Sequence, residues 1–507
     1  MKRLFTALII LATLGMAIWG VSKPWREKKQ WEKLVEKASD SIPTSRTIRI
    51  LGDDWLGYLV VRSGDFHNRM AREGIRVEFQ MEPDFDRRFK ALRDGSAQFV
   101  VATLDSYLVN GASSGWPGAI IFAIDESFGG DAVIGNASIK NIDDLNQPGI
   151  SGAFVGESPS EFLLKAETAH FRLDKLRPRI PSMRVSSEDD AFSAFKNGRA
   201  QFAVLWEPFV GRALKEIPGA HMIIDTRHAQ GIVIDIAVAS RRVLADDPRL
   251  AETFTRCYFG TLHELLNNPD TLKAVAAKDS GKSLAEAEVM LSGIRLIDLD
   301  ENSTDWMSTA AAPKMADATD AVATILADSG QPPDIPNGDP YSLFFRQTIG
   351  DVSRDSAGIE PIIAKTRKSG GVYKPLTADE WKSLAAKVRG TLLDEPITFR
   401  PGSSEIPDEF QDEVRSAIPK LSHYPTYRIV VEAHVSPSDD PAADTALSEE
   451  RAVAVKHFLM WECGVPEERI FTIGAGGASP PEMEPGESQS AWERSARRAK
   501  IVLVGDD

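Results

Sequence analysis

The sequence predicts an α/β protein of two similar lobes, followed by a smaller α+β domain and preceded by an apolar helix. Three observations predict it. Short β-rich runs alternate with amphipathic stretches from Thr47 to about Leu299, the pattern of parallel α/β structure. One helix–strand unit occurs twice in that region. After about Gly358 the composition changes, and a separate alternation of strands and helices begins near Glu395.

At 507 residues the chain exceeds one hydrophobic core, so two to four domains are expected. A hydrophobic content of 42% supports well-formed cores. The net charge of −15 argues against a nucleic-acid groove, which needs a basic footprint to release counterions. Only Cys257 and Cys463 occur, far apart, which argues against a disulfide framework or a cysteine-based zinc site. The eight histidines are scattered without ligand spacing, so neither a metal nor a cofactor is expected.

Lys2 and Arg3 precede the uncharged run "LFTALIILATLGMAIWGV", Leu4–Val21. At about 1.5 Å per residue it spans roughly 27 Å, close to the hydrocarbon thickness of a bilayer. We expect an uncleaved anchor over residues 1–22 and a juxtamembrane linker over 23–45. A cleaved signal peptide is the competing reading, but "AIWGVSK" offers a poor cleavage site. Lys23, Arg26, Lys28 and Lys29 follow the span and, on charge alone, would be held inside the cytoplasm.

"FKALRDGSAQFVVAT" (Phe89–Thr103) aligns with "FSAFKNGRAQFAVLW" (Phe192–Trp206) at a constant offset of 103 residues. Each copy reads as a helix closed by glycine and then a buried strand. Each ends in a loop at the carboxyl end of a parallel strand, where open α/β sheets place their ligands. One loop brings Thr103 and Asp105, the other Trp206 and Glu207. "GDDWLG" after the first strand brings Trp55 to such an edge, and "GESPSEFLL" starts a helix with Ser158 or Ser160 at its N-cap. Backbone N–H groups at that cap are candidates to receive an anion.

"RILGDDWLGYL", "VVATLDSYL", "AIDESFGGDAVIG", "IKNIDDLNQPGISGAFVGESPSEFLL" and "AVLWEPFVGRAL" together resemble the solute-binding proteins of nitrate, sulfonate and thiamine-precursor ABC importers. "IDLDENSTDWM" and "ILADSG" resemble their C-terminal helices. The resemblance covers about residues 46–358 and implies a two-lobed periplasmic-binding-protein fold, type II-like. Lobe I would take 46–125 and 230–358, and lobe II 126–229. The cleft would be lined by Trp55, Thr103, Ser127, Ser158 and Trp206. Asp53, Asp54, Asp105 and Glu207 would give it a negative rim, disfavouring simple inorganic anions. The expected ligand is an organic solute carrying an amine, amidine or similar donor.

A linker with a helix is expected over 359–394. From 395 to 507, "ITFRPGSSEI", "VVEAHV", "LSEERAVAVKHFL", "GVPEERIFTIGAGGASP" and "RRAKIVL" resemble the OmpA-like peptidoglycan-associated domain. Ser448 is the expected N-cap of a helix running from Glu449 to about Cys463. Family members usually carry G-H-T-D after the second strand, whose aspartate pairs with the diaminopimelate amine, and an arginine in L-S-x-x-R that grips a carboxylate. Arg451 occupies the arginine position. "AHVS" replaces "GHTD", so Ser436 stands where the aspartate is expected, and Asp439 or Asp440 nearby would have to substitute.

Both resemblances place the large modules outside the cytoplasm, overriding the charge count at the anchor. The chain is therefore expected in the periplasm, tied to the inner membrane and to peptidoglycan. It would capture a small solute for an ABC permease or a sensor partner. The alternative is a structural envelope protein with no transported solute. No nucleophile–base pair or phosphate loop emerges, and "GAGGAS" (Gly474–Ser479) lacks the following G-K-[ST], so no enzymatic activity is expected.

Overall fold

The computed structural model describes residues 42–355, 373–393, 395–483 and 486–505. The apolar run Leu4–Val21, on which the expected anchor rests, lies outside them. Among the described residues no helix is long and apolar enough to cross a membrane.

The first lobe opens with β1 (Arg46–Gly52), β2 (Ile75–Met81), β3 (Phe99–Thr103) and β4 (Gly118–Ser127). The chain crosses to a second sheet of β5 (Asp131–Gly135), β6 (Gly152–Val155), β7 (Arg184–Val185), β8 (Phe202–Trp206) and β9 (His221–Asp225). It returns with β10 (Ile234–Ser240) and β11 (Ile294–Leu296). Every residue of β3, β4 and β10 is buried, as expected of strands covered on both faces.

Strand order is β11-β4-β10-β3-β1-β2 in the first lobe and β7-β6-β8-β5-β9 in the second. Leaving β11 aside, the two sheets follow one plan. The strand arriving from the other lobe, β10 or β5, inserts antiparallel between the third and fourth strands. The remaining pairs along each order, β1 with β2 and β3, and β6 with β7 and β8, are parallel. Two such lobes joined by two crossings form an α/β periplasmic-binding-protein-like fold.

The internal repeat has a structural cause. Helices Phe85–Asp94 and Glu188–Lys196 are followed by Gly95 and Gly198, with φ of 77° and 69°, a left-handed turn that only glycine adopts freely. The identical pair Gln98 and Gln201 then does one job twice. Each side-chain carbonyl accepts a backbone N–H just before the first paired residue of the neighbouring strand, from Arg49 and Ser151, both at 2.8 Å. Each glutamine backbone N–H donates back to the same residue, at 3.0 and 2.8 Å. Gln in both copies therefore closes the otherwise open end of a strand pair.

The third domain is a sheet ordered β12-β16-β14-β15, with β13 also paired to β16. Its strands are β12 (Val388–Thr391), β13 (Ile397–Thr398), β14 (Arg428–Ala433), β15 (Ile470–Gly474) and β16 (Arg498–Val504). Two expectations are corrected. The segment 359–394 is not linker throughout, because Val388–Thr391 adds an edge strand antiparallel to β16. The long helix does not start at Glu449 but runs Pro441–Trp461. Asp440 caps it by accepting from Ala442 and Ala443, and Pro441 supplies a first residue with no N–H to satisfy. Ser448 is buried inside the helix, where its hydroxyl accepts the Gly476 N–H at 2.9 Å.

This domain docks against the second lobe and the return crossing. His423 exchanges hydrogen bonds with Gln230, Thr391 donates to Asp143 at 3.0 Å, and the His228 and Tyr427 rings stack at 5.0 Å. The Tyr424 hydroxyl donates to buried Glu167 at 3.1 Å and lies 2.7 Å from His170 Nδ1. Glu167 and His170 end the helix Pro159–His170, whose first residue lines the cleft between the lobes.

Candidate functional site

The carboxyl ends of β1, β3, β6 and β8 meet around a cavity of about 540 Å³, within the size range of small-molecule sites. Trp55, Thr103, Ser158 and Trp206 all line it. Trp55 is held by its indole N–H, which donates to Asp125 Oδ1 at 3.3 Å. Close packing fixes the ring further. A Cβ at Gly130 would fall 2.7 Å from the Trp55 ring and 2.8 Å from the Gly293 carbonyl. Gly130→Ala is therefore expected to cost about 1–3 kcal/mol, read by thermal unfolding, because neither neighbour can move away cheaply. An unchanged melting temperature would show that the crossing is loosely packed.

Other expected residues fall elsewhere. Ser127 is not on the cavity wall. Its hydroxyl pairs with Thr226 Oγ1 at 2.7 Å, and Thr226 also accepts the Gly129 N–H, so Ser127 stitches the two crossings together. Asp105 is buried behind Thr103, and its Oδ1 has no hydrogen-bond partner. Glu207 is half-buried outside the lining and accepts the Gly211 N–H at 3.2 Å.

At the Ser158 cap no side chain accepts a helix N–H. Ser158 turns its hydroxyl to the Val155 carbonyl at 2.7 Å, the first helical residue is Pro159, and Glu161 Oε2 already takes the Glu157 N–H at 2.8 Å. Two other helix starts at the cleft are self-capped, by Asp84 on Arg87 N–H and by Ser187 on Asp190 N–H. At those two starts one anion-binding donor each is therefore occupied, one of them by a carboxylate.

What the sequence did not single out is the depth of negative charge inside. Asp131, Glu188 and Asp235 line the cavity while 2%, 7% and 1% exposed. Burial, with Asp105 and Glu207 of like charge nearby, pushes the Asp131 carboxyl up to about 7. Burial raises Glu188 well above the carboxylate range, helped by Asp131 and Asp54. Asp125 and Asp235 are cross-strand partners of β4 and β10. Burial lifts both, Asp125 to about 8 with Asp131 adding repulsion, and Asp235 further by repulsion from Asp125, so that the pair holds a proton and Asp235 takes the Tyr58 hydroxyl. Asp53 is neutralised by the fully buried Arg88 at 2.6 Å.

The repeat carried a usable signal for Glu188. Extended a few residues upstream at the same offset, it sets Asp84, Phe85 and Asp86 against Ser187, Glu188 and Asp189, and all six line the cavity.

In the third domain, Arg451 does not present a free fork for a ligand carboxylate. The side chain is fully buried and donates to the carbonyls of Ser403, His434 and Arg400 at 2.9, 3.1 and 3.1 Å. A guanidinium withdrawn from water needs those acceptors. Ser436 is half-buried and Asp439 exposed on the loop beyond it, and Asp444 is engaged by the Ser438 N–H and hydroxyl.

Residues 398–491 match the OmpA family. Over 109 residues the chain is 34% identical to the peptidoglycan-associated lipoprotein of Agrobacterium fabrum and 32% identical to that of Brucella melitensis. Those matches cover 22% of this chain and span 59% and 62% of the two relatives. Among solved structures, the periplasmic aliphatic sulphonate binding protein SsuA from Escherichia coli aligns with 61% of this chain and 100% of its own. Its identity is 15% and its TM-score 0.48. The alkanesulfonate-binding protein SsuA from Xanthomonas axonopodis pv. citri covers 57% of this chain and 96% of its own, at 16% identity and TM-score 0.45. The C-terminal part of the chain thus matches the OmpA family, behind an α/β unit of two lobes built on one strand plan.

Proposed function

We propose that the protein captures a small organic solute with an amine or amidine group in the cleft between its lobes. It does so in the cell envelope, held at the inner membrane by residues 1–22 and at peptidoglycan by its C-terminal domain. One observation carries the reading: a cavity of about 540 Å³ where the strand ends of both lobes converge, with Trp55 on one side and Trp206 on the other. Tryptophan faces bind cations through the ring quadrupole, and the carboxylates around them supply acceptors. A chain fixed at one or both ends does not shuttle freely, so it would present solute to a fixed permease or sensor.

The test is heat denaturation of the purified chain against a metabolite panel, with mass spectrometry of small molecules it retains. A solute at a hundred times its Kd stabilises by about 2.7 kcal/mol, since only the folded state binds it. Trp206→Ala is expected to weaken that solute about tenfold or more by removing one aromatic wall. A panel without stabilisation, together with an empty cleft by mass spectrometry, would favour a purely structural envelope role.

Ser436 replacing the expected aspartate leaves the wall ligand's amine without its counter-charge. Ser436→Asp is expected to increase retention on purified peptidoglycan, whereas equal retention would remove the family's amine pocket from this domain.

A further inference from the structure

We propose that the captured solute is an organic dication, two amine or amidine groups joined by an apolar spacer, with one positive pole between Asp54 and Glu188 and the other at Asp131. The inference rests on the solute-capture reading and narrows it to a chemical class.

Glu188 is the clearest pointer. It lines the cavity, is 7% exposed, and neither carboxylate oxygen has a hydrogen-bond partner. Buried acids are ordinarily paired or hydrogen-bonded. The nearest charges it feels are also negative: Asp131 and Asp189 of its own lobe and Asp54 of the other. Asp131 forms a second focus. It opens β5, stands opposite Trp206 across the β5–β8 ladder, and feels Asp105 and Glu207. Among the described residues none of Asp54, Asp131 and Glu188 has a cation within 4 Å. Lobe I and lobe II therefore press like charges toward one another, and a ligand that closes the cleft must supply positive charge to both.

A single metal ion does not meet this need. Among the described residues no three acidic, histidine or cysteine side chains converge to hold one. Carboxylates distributed along a cavity call for charges distributed along a molecule. The apolar spacer follows from the walls. Phe85 and Phe209 already carry the guanidinium groups of Arg88 at 4.3 Å and Arg212 at 4.9 Å. Trp55 and Trp206 are left to cover methylenes or a flat spacer between the poles. Anionic solutes are disfavoured by the same geometry, since buried carboxylates line the cavity and two of the three helix starts at the cleft are capped by the protein's own side chains.

Calorimetry on the full chain with 1,4-diaminobutane, spermidine, butylamine, methanesulfonate and magnesium ion tests the proposal. The diamine and triamine are expected to bind at least about tenfold more tightly than butylamine, with no heat from methanesulfonate. Glu188→Gln and Asp131→Asn are each expected to weaken diaminobutane about tenfold while raising the melting temperature of the unliganded protein, because each removes a buried acid that has like charges nearby and no cation beside it. That opposition separates a binding role from a structural one, and a variant that loses both affinity and melting temperature overturns the assignment. Equal affinity for butylamine and diaminobutane overturns the second pole but leaves amine capture standing. Binding of methanesulfonate or of magnesium in the cleft overturns the cationic organic class. If no amine binds but mass spectrometry finds another retained molecule, the dication fails and solute capture survives; if nothing is retained, both fail.

Discussion

Arg451→Met is expected to destabilise the C-terminal domain by about 2–3 kcal/mol, because it strands the buried His434 carbonyl and removes the donors to the part-buried Ser403 and Arg400 carbonyls. The methionine keeps much of the volume, so the loss isolates hydrogen bonding from packing. Arg451 joins the Arg400–Ser403 turn to the end of β14 at His434, and its guanidinium also lies 4.9 Å from the Phe399 ring centre. Burial, with Arg497 adding repulsion, already lowers its pKa to about 10, the mark of a cation held in place by acceptors rather than by a counter-charge. Urea unfolding monitored at the third domain checks the expectation. A change below about 1 kcal/mol would mean that the carbonyls find water and that the guanidinium is free to turn toward a ligand. A simple loss of peptidoglycan retention in an Arg451 variant therefore does not identify a ligand contact, which is why Ser436→Asp is the more decisive change for wall binding.

Glu167→Gln is expected to flatten the dependence of stability on pH between about 5 and 8. Glu167 is fully buried where the second lobe meets the third domain, with Oε2 on the Tyr424 hydroxyl and Oε1 unpartnered. Burial lifts its carboxyl to about 8. The folded state therefore keeps a proton that the unfolded chain loses near the ordinary glutamate value of about 4.3. Its stabilising contribution is complete below that value, falls by about 1.4 kcal/mol per pH unit as pH rises, and is gone above the folded pKa. The glutamine is neutral throughout and removes that slope. Asp105, Asp131 and Asp125, lifted mainly by burial to about 6, 7 and 8, act in the same direction, so part of the slope persists. His170, lowered well below its usual range by burial and by the neighbouring His423 and Lys420, acts oppositely: its contribution is lost as pH falls. Melting temperatures from pH 5 to 8 for the two proteins decide the matter, and parallel curves would place the Glu167 proton elsewhere.

The lobes were legible because their signals are local. Gly95 and Gly198 announce left-handed turns, and Gln98 with Gln201 mark strands that need one more acceptor at an open end. The same locality misled at the long helix. Ser448 followed by two glutamates reads as an N-terminus, yet the cap at Asp440, eight residues earlier and followed by Pro441, supplies a stronger start, and nothing between them breaks the helix. Ser127 was placed on the cleft wall by resemblance, but its partner Thr226 lies 99 residues away and draws it into the crossings.

By itself the amino-acid order determined the repeated helix–turn–strand units, the separate C-terminal module and the loops that carry Trp55, Ser158 and Trp206. These depend on backbone conformation and on hydrophobic periodicity, which act between near neighbours in the chain. Only the tertiary structure decided which acids lose their water. Asp131, Glu188, Asp235 and Glu167 look like any solvated carboxylate in the chain. Their chemistry arises when two lobes and a third domain close around them, because charge in a low-dielectric gap is governed by what else is buried there.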